Sequence, residues 1–392
     1  MAKRLLLAIS HFPPDRRAGG AEMFALAEAV GLARDHGWDV TVVATAPPEP
    51  VTREVAPEPV RVRRIPYQFR LSNSPVSLRW RRELRKIVAE VDPDLVNVHL
   101  PVPGLADMAS GAAGKRPVVA YYHSGPMSKG NLLLDPVIRL YESLVLPLCL
   151  RKARRLACGS GYVRDGILRH FTAKTRIIPP GVDTTRFSPA SRRNTAPVVL
   201  YVGSLNLSDK HKRFTDLLKA CREMLPDVPG LRLLVAGGGD GLPVYQEMAA
   251  EMGVGGCVEF LGRVHGDALA ELYRQAAVLA LPSLAEAFGM VLTEAMASGL
   301  PVVAASGGAA PEVVADGVDG ILVPPRDPHA LAEALTTVLT DPDRATAMGA
   351  AGRRKVVDEM QWPHRIAALN DLFTDALGAA DAGPGARSPA AR

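Results

Sequence analysis

The segment AVLALPSLAEAFGMVLTEAMASGLPVVAAS, residues 277–306, places a helix-like stretch between two short apolar runs. The runs AVLALP and PVVAAS are typical of buried strands, whereas FGMVLTEAMASG carries apolar residues at the intervals of an α-helix. Gly299 and Pro301 follow that stretch as a normal helix stop, and the helix is predicted to begin near 287–289. A strand, a helix and a second strand in succession predict a parallel sheet with crossover helices.

The same alternation extends over most of the chain, in two series of strand-like runs. The first series comprises 4–10, 39–45, 95–99 and 117–122, and the second comprises 197–204, 232–239, 257–262, 277–282, 301–306 and 320–325. Residues 176–197 between them are rich in Pro, Thr, Ser and Arg, which is the composition of a linker. The sequence therefore predicts an α/β fold with two doubly wound, Rossmann-like domains that face each other across a cleft.

The boundaries of these units follow from the same pattern. We expect an N-terminal domain at 1–190 and a C-terminal domain at 191–360. The amphipathic segment 361–378 is predicted to form a last helix that packs on the N-terminal domain. Residues 379–392 are expected to be a disordered tail, because AADAGPGARSPAAR lacks the apolar residues that a packed element needs.

Composition and charge exclude several classes of protein. The 392 residues contain no apolar run of the roughly 18 residues that a membrane span needs, and the first apolar stretch is too short for a signal peptide. Four cysteines without a C-x-x-C pair indicate neither a zinc site nor a redox pair, so a cytoplasmic protein is expected. The net charge of +5 hides an asymmetry: residues 1–192 have 29 Lys and Arg against 17 Asp and Glu, and 193–392 have 17 against 24.

Two carboxylates bracket the start of the helix predicted near 287–289. Glu286 directly precedes it, and Glu294 lies about two turns inside. The first amides of a helix have no internal partner and suit a phosphate, and Gly289 lets a ligand approach the backbone closely. The two acids are then placed to accept hydrogen bonds from sugar hydroxyls on either side of a diphosphate. From this stretch alone, a first-turn acid and a solvated helix acid are equally good interpretations.

The wider motif changes that balance. EAFGMVLTEAMASGLPVVAASGGAAPEVV, 286–314, resembles the signature of the family-four retaining glycosyltransferases of the GT-B fold, in which seven residues separate two glutamates around an aromatic-glycine turn. GGAE near the start, PPGVDTTRF at the linker, VEFLGRV and DGILVPPRD extend the resemblance over nearly all of 4–375. It implies a nucleotide-sugar-dependent hexosyltransferase that moves a hexosyl or amino-sugar unit, with UDP as the expected nucleotide and no metal or other cofactor required.

The resemblance also implies roles for single residues. Glu286 is expected to bind hydroxyls of the donor sugar, and Glu294 the donor ribose. Val264 is expected to pair with the base edge through its backbone, with Arg263 as a neighbouring donor contact. The amides expected on the sugar and the β-phosphate belong to Ala287, Phe288 and Gly289.

Family members place an Arg and a Lys on the diphosphate, and here the segment VGSLNLSDKHKRFTDLLKA departs from that pattern. Ser204 occupies the usual Arg position. Lys212 is the best match for the Lys, where an ammonium would neutralise the leaving group without a metal, and Lys210 competes with it. We expect Lys210, His211 or Arg213 to compensate for Ser204, although a solvated loop charge is the commoner role for any one of them.

In the first half, Gly19 and Gly20 follow the first strand and open a helix, so the resemblance implies that their amides meet a phosphate across the cleft. His123 closes the run PVVAYYH and is assigned a contact with the donor sugar near its reacting centre. His99 ends a neighbouring strand, for which a structural role is favoured. Ser160 matches a serine found near the cleft in relatives.

Other functions of doubly wound proteins fit these residues less well. A nicotinamide dehydrogenase needs a G-x-G-x-x-G turn after the first strand, which ISHFPPDRRAGG lacks. The arginine-rich stretch 61–87 is interpreted as a helix with one charged face, and no nucleic-acid partner is expected. Asp92 and Asp94 are interpreted as a turn between helix and strand, not as a metal site. An epimerase or a non-catalytic binder of nucleotide sugars remains open within the same fold.

The acceptor is the least determined part of the prediction. A small polyol, sugar or cyclitol, as in natural-product or antibiotic assembly, is one possibility. The alternative is a lipid-linked or phosphorylated acceptor at the inner membrane surface, because 135–156 joins an apolar helix to a basic end that could rest on anionic lipid. A core-facing helix with a charged end is the simpler interpretation of that segment.

Overall fold

Two parallel sheets organise the part of the chain that the computed structural model describes, namely residues 2–13, 19–46, 58–71, 74–127, 134–191, 194 and 196–381. The first sheet has seven strands in the order β3-β2-β1-β6-β7-β8-β9, and the second has six in the order β12-β11-β10-β13-β14-β15. In both sheets the strand order reverses beside the first strand, which is the arrangement of a doubly wound fold. The predicted fold class is confirmed.

The first sheet and its hairpin contain the strands β1 Arg4–Ala8, β2 Asp39–Thr45, β3 Arg61–Ile65, β4 Phe69–Leu71, β5 Ser74–Val76, β6 Leu95–Leu100, β7 Val118–Tyr122, β8 Arg155–Cys158 and β9 Thr175–Ile177. The helices of this half are α1 Gly20–His36, α2 Trp80–Val91, α3 Leu105–Ala112, α4 Leu134–Leu140 and α5 Leu146–Lys152. A π-helical turn joins α4 to α5, and β4 pairs with β5 as a separate antiparallel hairpin.

The second sheet contains the strands β10 Val198–Val202, β11 Arg232–Ala236, β12 Val258–Gly262, β13 Val278–Leu281, β14 Val302–Ala305 and β15 Gly320–Val323. Its helices, followed by the last helix of the chain, are α6 Phe214–Met224, α7 Leu242–Glu251, α8 Gly266–Gln275, α9 Met290–Ala297, α10 Ala310–Val313, α11 Pro328–Thr340, α12 Pro342–Glu359 and α13 Trp362–Asp381.

Apolar side chains cover both faces of each sheet, as continuous Val and Leu runs require. On one face of the first sheet Leu5 and Leu7 pack with Phe24 of α1 and Phe373 of α13. The last helix therefore returns to the N-terminal half, where the Trp38 indole N–H donates to Asn370 Oδ1 at 2.9 Å. Helix α13 extends to Asp381, and the rest of the expected tail, 382–392, lies outside the described residues.

The stretch 61–87 is not one charged helix, contrary to the prediction. Residues 61–65 form the edge strand β3, a hairpin follows, and only α2 is helical. The alternation of exposed and half-buried residues along RVRRI suits an edge strand, because the arginines reach solvent on one side. Trp80 and Leu84 of α2 are fully buried, so the apolar side of this helix faces the core as expected.

Candidate active site

A cavity of about 460 Å³ lies between the two halves, at the carboxyl ends of their strands. Gly20 and His123 line it from the first half, and Asp209 and His211 line it from the second. In an open parallel sheet, ligands bind at this end of the strands, beside the point where the strand order reverses. The fold therefore brings residues from distant parts of the sequence to one place.

Two helix N-termini meet at this cleft. Helix α1 begins at Gly20 and helix α9 at Met290, and a Cβ added to Gly20 would lie 3.2 Å from Met290 Sδ. The amide of Gly19 is already occupied, because it donates to Glu22 Oε2 at 2.8 Å. Both helix dipoles point their positive ends into the same region, which favours an anion there.

The loop between β13 and α9 is held in a fixed shape by its neighbours. Leu284 N donates to the carbonyl of His211 at 2.8 Å, and the Glu286 carbonyl accepts from Ala309 N at 2.9 Å. A Cβ at Gly308 would come within 2.5 Å of the Glu286 backbone, so only glycine permits this approach. Within the described residues, no hydrogen bond uses the amides of Ala287, Phe288 or Gly289. Three consecutive donors are thus presented at the start of α9.

Glu286 and Lys212 form an ion pair beside these amides. Lys212 Nζ lies 2.6 Å from Glu286 Oε1, and the two side chains are 21% and 13% exposed. Burial, the largest influence on the Glu286 pKa, acts to raise it, but the charge and hydrogen bond of Lys212 outweigh burial with smaller help from His211. The pKa is lowered overall, so Glu286 is a carboxylate at neutral pH. The structure brings these two predicted residues together directly.

Glu294 is in a different state from Glu286, although it belongs to the same motif. It lies in the second turn of α9, and its Oε2 accepts a hydrogen bond from the Tyr273 hydroxyl at 2.8 Å. Burial raises the pKa of Glu294 to about 7, against the lowering effect of that hydrogen bond. A carboxyl with this pKa exchanges its proton near neutral pH, and it gains from ligand hydroxyls that donate to it.

Ser204 is uncharged, so its position supplies no second cation beside Lys212. The Ser204 hydroxyl donates to Asp209 Oδ2 at 2.6 Å. Lys210 is exposed, and Arg213 is held by Asp216 through bonds of 2.7 and 2.8 Å. Of the three candidates to compensate for Ser204, only His211 lines the cavity among the described residues.

Val264 and Arg263 lie on the loop after β12, at the same end of the second sheet. Val264 packs partly against the core of its half, and Arg263 is exposed. A Cβ at Gly238 would lie 3.0 Å from Arg263 Cγ, so the arginine stem covers the glycine-rich turn after β11. Their roles at the nucleotide base stay predictions.

His123 lies at the other side of the cavity with a second histidine behind it. The His123 Nε2 atom is 2.6 Å from Nδ1 of His99, and the two rings are 13° from parallel with centroids 4.9 Å apart, so they meet edge to edge. Burial lowers the pKa of both rings, that of His99 to about 3, and the proximity of His99 lowers the His123 pKa further. His123 is therefore neutral at pH 7.

Two further residues connect the halves near this loop, and of these the sequence named Ser160 but not Glu312. The Ser160 hydroxyl donates to the carbonyl of Ala287 at 2.5 Å, so the first half touches the loop that carries Glu286. Glu312 of α10 accepts hydrogen bonds at 2.7 Å from the amides of Gly161 and Tyr162. The sequence signal for Glu312 was only its place in the SGGAAPEVV segment.

Asp92 and Asp94 lie in the turn between α2 and β6, as predicted. Asp92 follows the last residue of α2 and bonds the side chains of Arg4 and Arg116, and Asp94 accepts from the Arg4 amide at 2.7 Å. Among the described residues no group of three His, Cys, Asp or Glu could hold a metal ion. Within the same residues no helix combines the length and the apolar character that a bilayer crossing requires.

Two family models match the chain in succession. Residues 18–186 match the model described as Glycosyltransferase Family 4, and residues 183–355 match the model described as Glycosyl transferases group 1. Together they span both halves of the cleft.

Two curated relatives illustrate matches that span almost the whole length of the relative. The chain is 32% identical over 391 residues to a GDP-mannose-dependent alpha-(1-6)-phosphatidylinositol monomannoside mannosyltransferase of Mycolicibacterium smegmatis, with 94% of this chain and 98% of the relative covered. It is 31% identical over 404 residues to a D-inositol 3-phosphate glycosyltransferase of Saccharomonospora viridis, with 94% and 91% covered.

Solved structures share the fold at lower identity. A sucrose-phosphate synthase from Thermosynechococcus elongatus superposes with a TM-score of 0.73 at 24% identity, covering 96% of this chain and all of that chain. Anabaena HepE in complex with UDP-glucose superposes with a TM-score of 0.76 at 18% identity, covering 95% and 99%.

Proposed function

Since the chain belongs to glycosyltransferase family 4 and has the GT-B fold, we propose that it transfers a hexosyl unit from a nucleoside diphosphate sugar to a cyclitol hydroxyl, with retention at the anomeric carbon. The observation that carries the proposal is the meeting of two helix N-termini, since Gly20 of α1 approaches Met290 of α9, with the Lys212–Glu286 ion pair just before α9. Such a site suits a diphosphate next to a sugar.

The chemistry follows from the charges at that point. The bond from the anomeric carbon to the β-phosphate oxygen breaks, and a bond to the acceptor oxygen forms on the same face. The departing diphosphate gains negative charge, which the α9 amides and Lys212 stabilise, and it takes the acceptor proton. Glu286 then orients the sugar through its hydroxyls, so no separate base is needed.

Donor and acceptor are proposed from different sources. UDP is the nucleotide expected from the family resemblance, whereas the mycolicibacterial relative is named for GDP-mannose. The two curated relatives described above are both named for inositol-containing acceptors. A cyclitol ring is the feature that these acceptors share, and it falls within the acceptor class predicted from the sequence.

Thermal shift measurements with UDP, GDP and ADP, and with their sugars, test the donor. One nucleotide is expected to raise the melting temperature while DNA leaves it unchanged, since only a bound ligand stabilises the folded state. Mass spectrometry of reactions with myo-inositol and D-inositol 3-phosphate then tests the acceptor, and the anomeric proton coupling of the product tests retention. Nucleotide binding without a glycosylated product from any acceptor would contradict a transferase and favour a binder.

A second candidate acceptor is an inositol lipid at a membrane surface, and one observation favours it. Five apolar side chains in the helical segment from α4 through the π-helical turn to α5 are 42–64% exposed, at spacings that recur on one side of the segment: Val137, Leu140, Leu144, Val145 and Leu148. The other side of the segment packs inward through Tyr141, Leu146 and Leu150. An exposed row of this kind suits the interfacial region of a bilayer.

The nearby charges support the same orientation. Helix α3 packs between α2 and α5, so the exposed basic residues of α2, together with Leu78 at 77% exposure, lie on the same side of the first sheet. Arg155 of the predicted basic end is instead bound to Asp375, and Arg154 to the carbonyl of Ala376. The basic contribution to lipid binding is thus assigned to α2 and to Arg151, which is exposed on α5.

Sedimentation with vesicles distinguishes the two acceptors. The chain is expected to bind vesicles that contain anionic lipid, and Leu144→Glu with Leu148→Glu should lower the bound fraction about fivefold. Val318→Glu is the matched control, because Val318 is 60% exposed on the other half. Equal sedimentation of both variants and the wild type would contradict the membrane surface and leave the water-soluble cyclitol.

A further inference from the structure

A fully buried carboxyl lies behind the two histidines of the cleft. Glu28 of α1 is 0% exposed, and its Oε1 accepts a hydrogen bond from the side-chain amide of Asn97. Its Oε2 has no hydrogen bond among the described residues and lies 3.5 Å from Nε2 of His99. From His99 the chain of polar contacts continues through Nδ1 to His123 Nε2 at 2.6 Å. Glu28 is thereby connected to the cavity through three side chains.

The direction of these contacts follows from Asn97. Its amide nitrogen can only donate, and besides Glu28 it lies 3.3 Å from His99 Nε2. His99 Nε2 is therefore the acceptor, which places the proton of this neutral ring on Nδ1. That proton is directed at His123 Nε2, so His123 carries its own proton on Nδ1, the ring nitrogen left for a ligand.

The charge state of Glu28 is consistent with this direction of the hydrogen bonds. Burial raises the Glu28 pKa to about 8, despite the hydrogen bond from Asn97, so the carboxyl is neutral at pH 7. A neutral Glu28 can turn its own proton on Oε2 towards His99 Nε2, whereas a carboxylate would attract a proton onto Nε2 and reverse the chain. Two further titratable groups act on this region. The Tyr121 hydroxyl of β7 donates a hydrogen bond to the Ile178 carbonyl at 2.6 Å. The charge of Arg365 on α13 acts to lower the pKa of Tyr121.

We propose that Glu28 is a positioning residue, which acts through Asn97 and His99 to fix His123 as the Nδ1–H tautomer, so that His123 donates a hydrogen bond to an oxygen of the donor sugar. The hydrogen bond from His123 to the donor sugar rests on the proposed function. The tautomer itself does not, because it is a property of the protein without substrate. Each ring stays neutral throughout, and only the position of its proton is selected.

Long-range ¹H–¹⁵N correlation spectra of the full chain with ¹⁵N-labelled histidine test the tautomer directly. At pH 7 without ligand, the His123 signals, assigned from their loss in His123→Gln, are expected to show a protonated Nδ1 and an unprotonated Nε2. Glu28→Gln should keep this pattern, because its amide group offers a donor to His99 and an acceptor to Asn97. Glu28→Met has a similar shape without polar atoms and should give a mixture of tautomers.

Transfer rates provide the second measurement. Glu28→Gln should retain kcat, and Glu28→Met should lose about tenfold in kcat with little change in the donor KM, as expected for one hydrogen bond that strengthens as the sugar reacts. A proton on Nε2 of His123 in the wild type would overturn the proposal, and so would a folded Glu28→Gln that is as impaired as Glu28→Met. The predicted tautomers in a chain that transfers no sugar would support the positioning role and reject the proposed function.

Discussion

At the scale of single residues, the Lys212–Glu286 pair explains how a carboxylate can lie beside the proposed diphosphate site. Both side chains are partly buried, and each charge offsets part of the free-energy cost of removing the other from water. When a donor binds, the lysine can face both the carboxylate and the diphosphate, while Glu286 keeps an oxygen for the sugar. The sequence predicted both residues for this site, but their direct contact depends on the turn around Lys212, which the motif does not encode.

Removing one partner of this pair should cost both stability and activity. Glu286→Gln and Lys212→Met are each expected to lower the free energy of unfolding by about 1–3 kcal/mol, because a partly buried charge loses its partner. Each should lower kcat/KM by about 100-fold or more. The double variant should recover most of the stability without the activity. Urea unfolding and initial rates measure both quantities, and a double variant less stable than either single one would contradict the pairing.

Glu294 gives a prediction about pH. Its pKa is about 7 in the folded chain and about 4.5 when unfolded, so between these values the folded state binds more protons. The free energy of unfolding should therefore fall as pH rises from about 4.5 to 7. Above pH 7, Glu294 should cause no further change in it. Glu294→Gln removes this contribution, so its stability relative to the wild type should rise by on the order of 3 kcal/mol across the window. A constant difference between the two proteins from pH 4.5 to 8 would show that the Glu294 pKa is not raised.

At the scale of secondary structure, the apolar pattern was most informative where strands are buried on both faces. Each of the ten predicted runs contains a strand. Five strands were missed, namely β3, β4, β5, β8 and β9. An edge strand such as RVRRI alternates charged and apolar residues, and strands of three or four residues leave little pattern. The π-helical turn between α4 and α5 could not be predicted either, since apolar residues on both sides of a helix hide its periodicity.

The start of α9 tests whether the helix N-terminus binds the nucleotide. Gly289 has a φ of +90°, and a Cβ there would lie 3.1 Å from Leu292 Cδ1. Gly289→Ala should therefore shift the first turn and weaken nucleotide binding by about tenfold, with a loss of about 1–2 kcal/mol in stability. Gly317 has a φ of +74° with open space around it, so Gly317→Ala is a control for strain alone. Titration calorimetry that finds equal affinity in both variants would exclude α9 as the diphosphate site.

At the scale of the whole molecule, three hydrogen bonds between the halves start from residues 160–162, directly after β8. Ser160 bonds the carbonyl of Ala287, and Glu312 bonds the amides of Gly161 and Tyr162. The predicted GT-B fold implied that the domains face each other, but not which groups join them. A serine after a strand and an acid in a short helix are common everywhere in proteins, so only the arrangement of the two sheets identifies these contacts.

These contacts predict that donor affinity depends on residues that need not touch the donor. If they hold the halves together around the bound sugar, Glu312→Ala and Ser160→Ala should each raise the donor Kd by about threefold to tenfold, because part of the binding energy is then spent on bringing the halves together. Glu333→Gln is the control, since this side chain is 70% exposed on α11. Small-angle scattering should show a larger radius of gyration in the free double variant, which donor at saturation restores to the wild-type value. Unchanged affinity with an unchanged radius would mean that the halves associate through their apolar surfaces alone, and that these three hydrogen bonds only report a position fixed by other contacts.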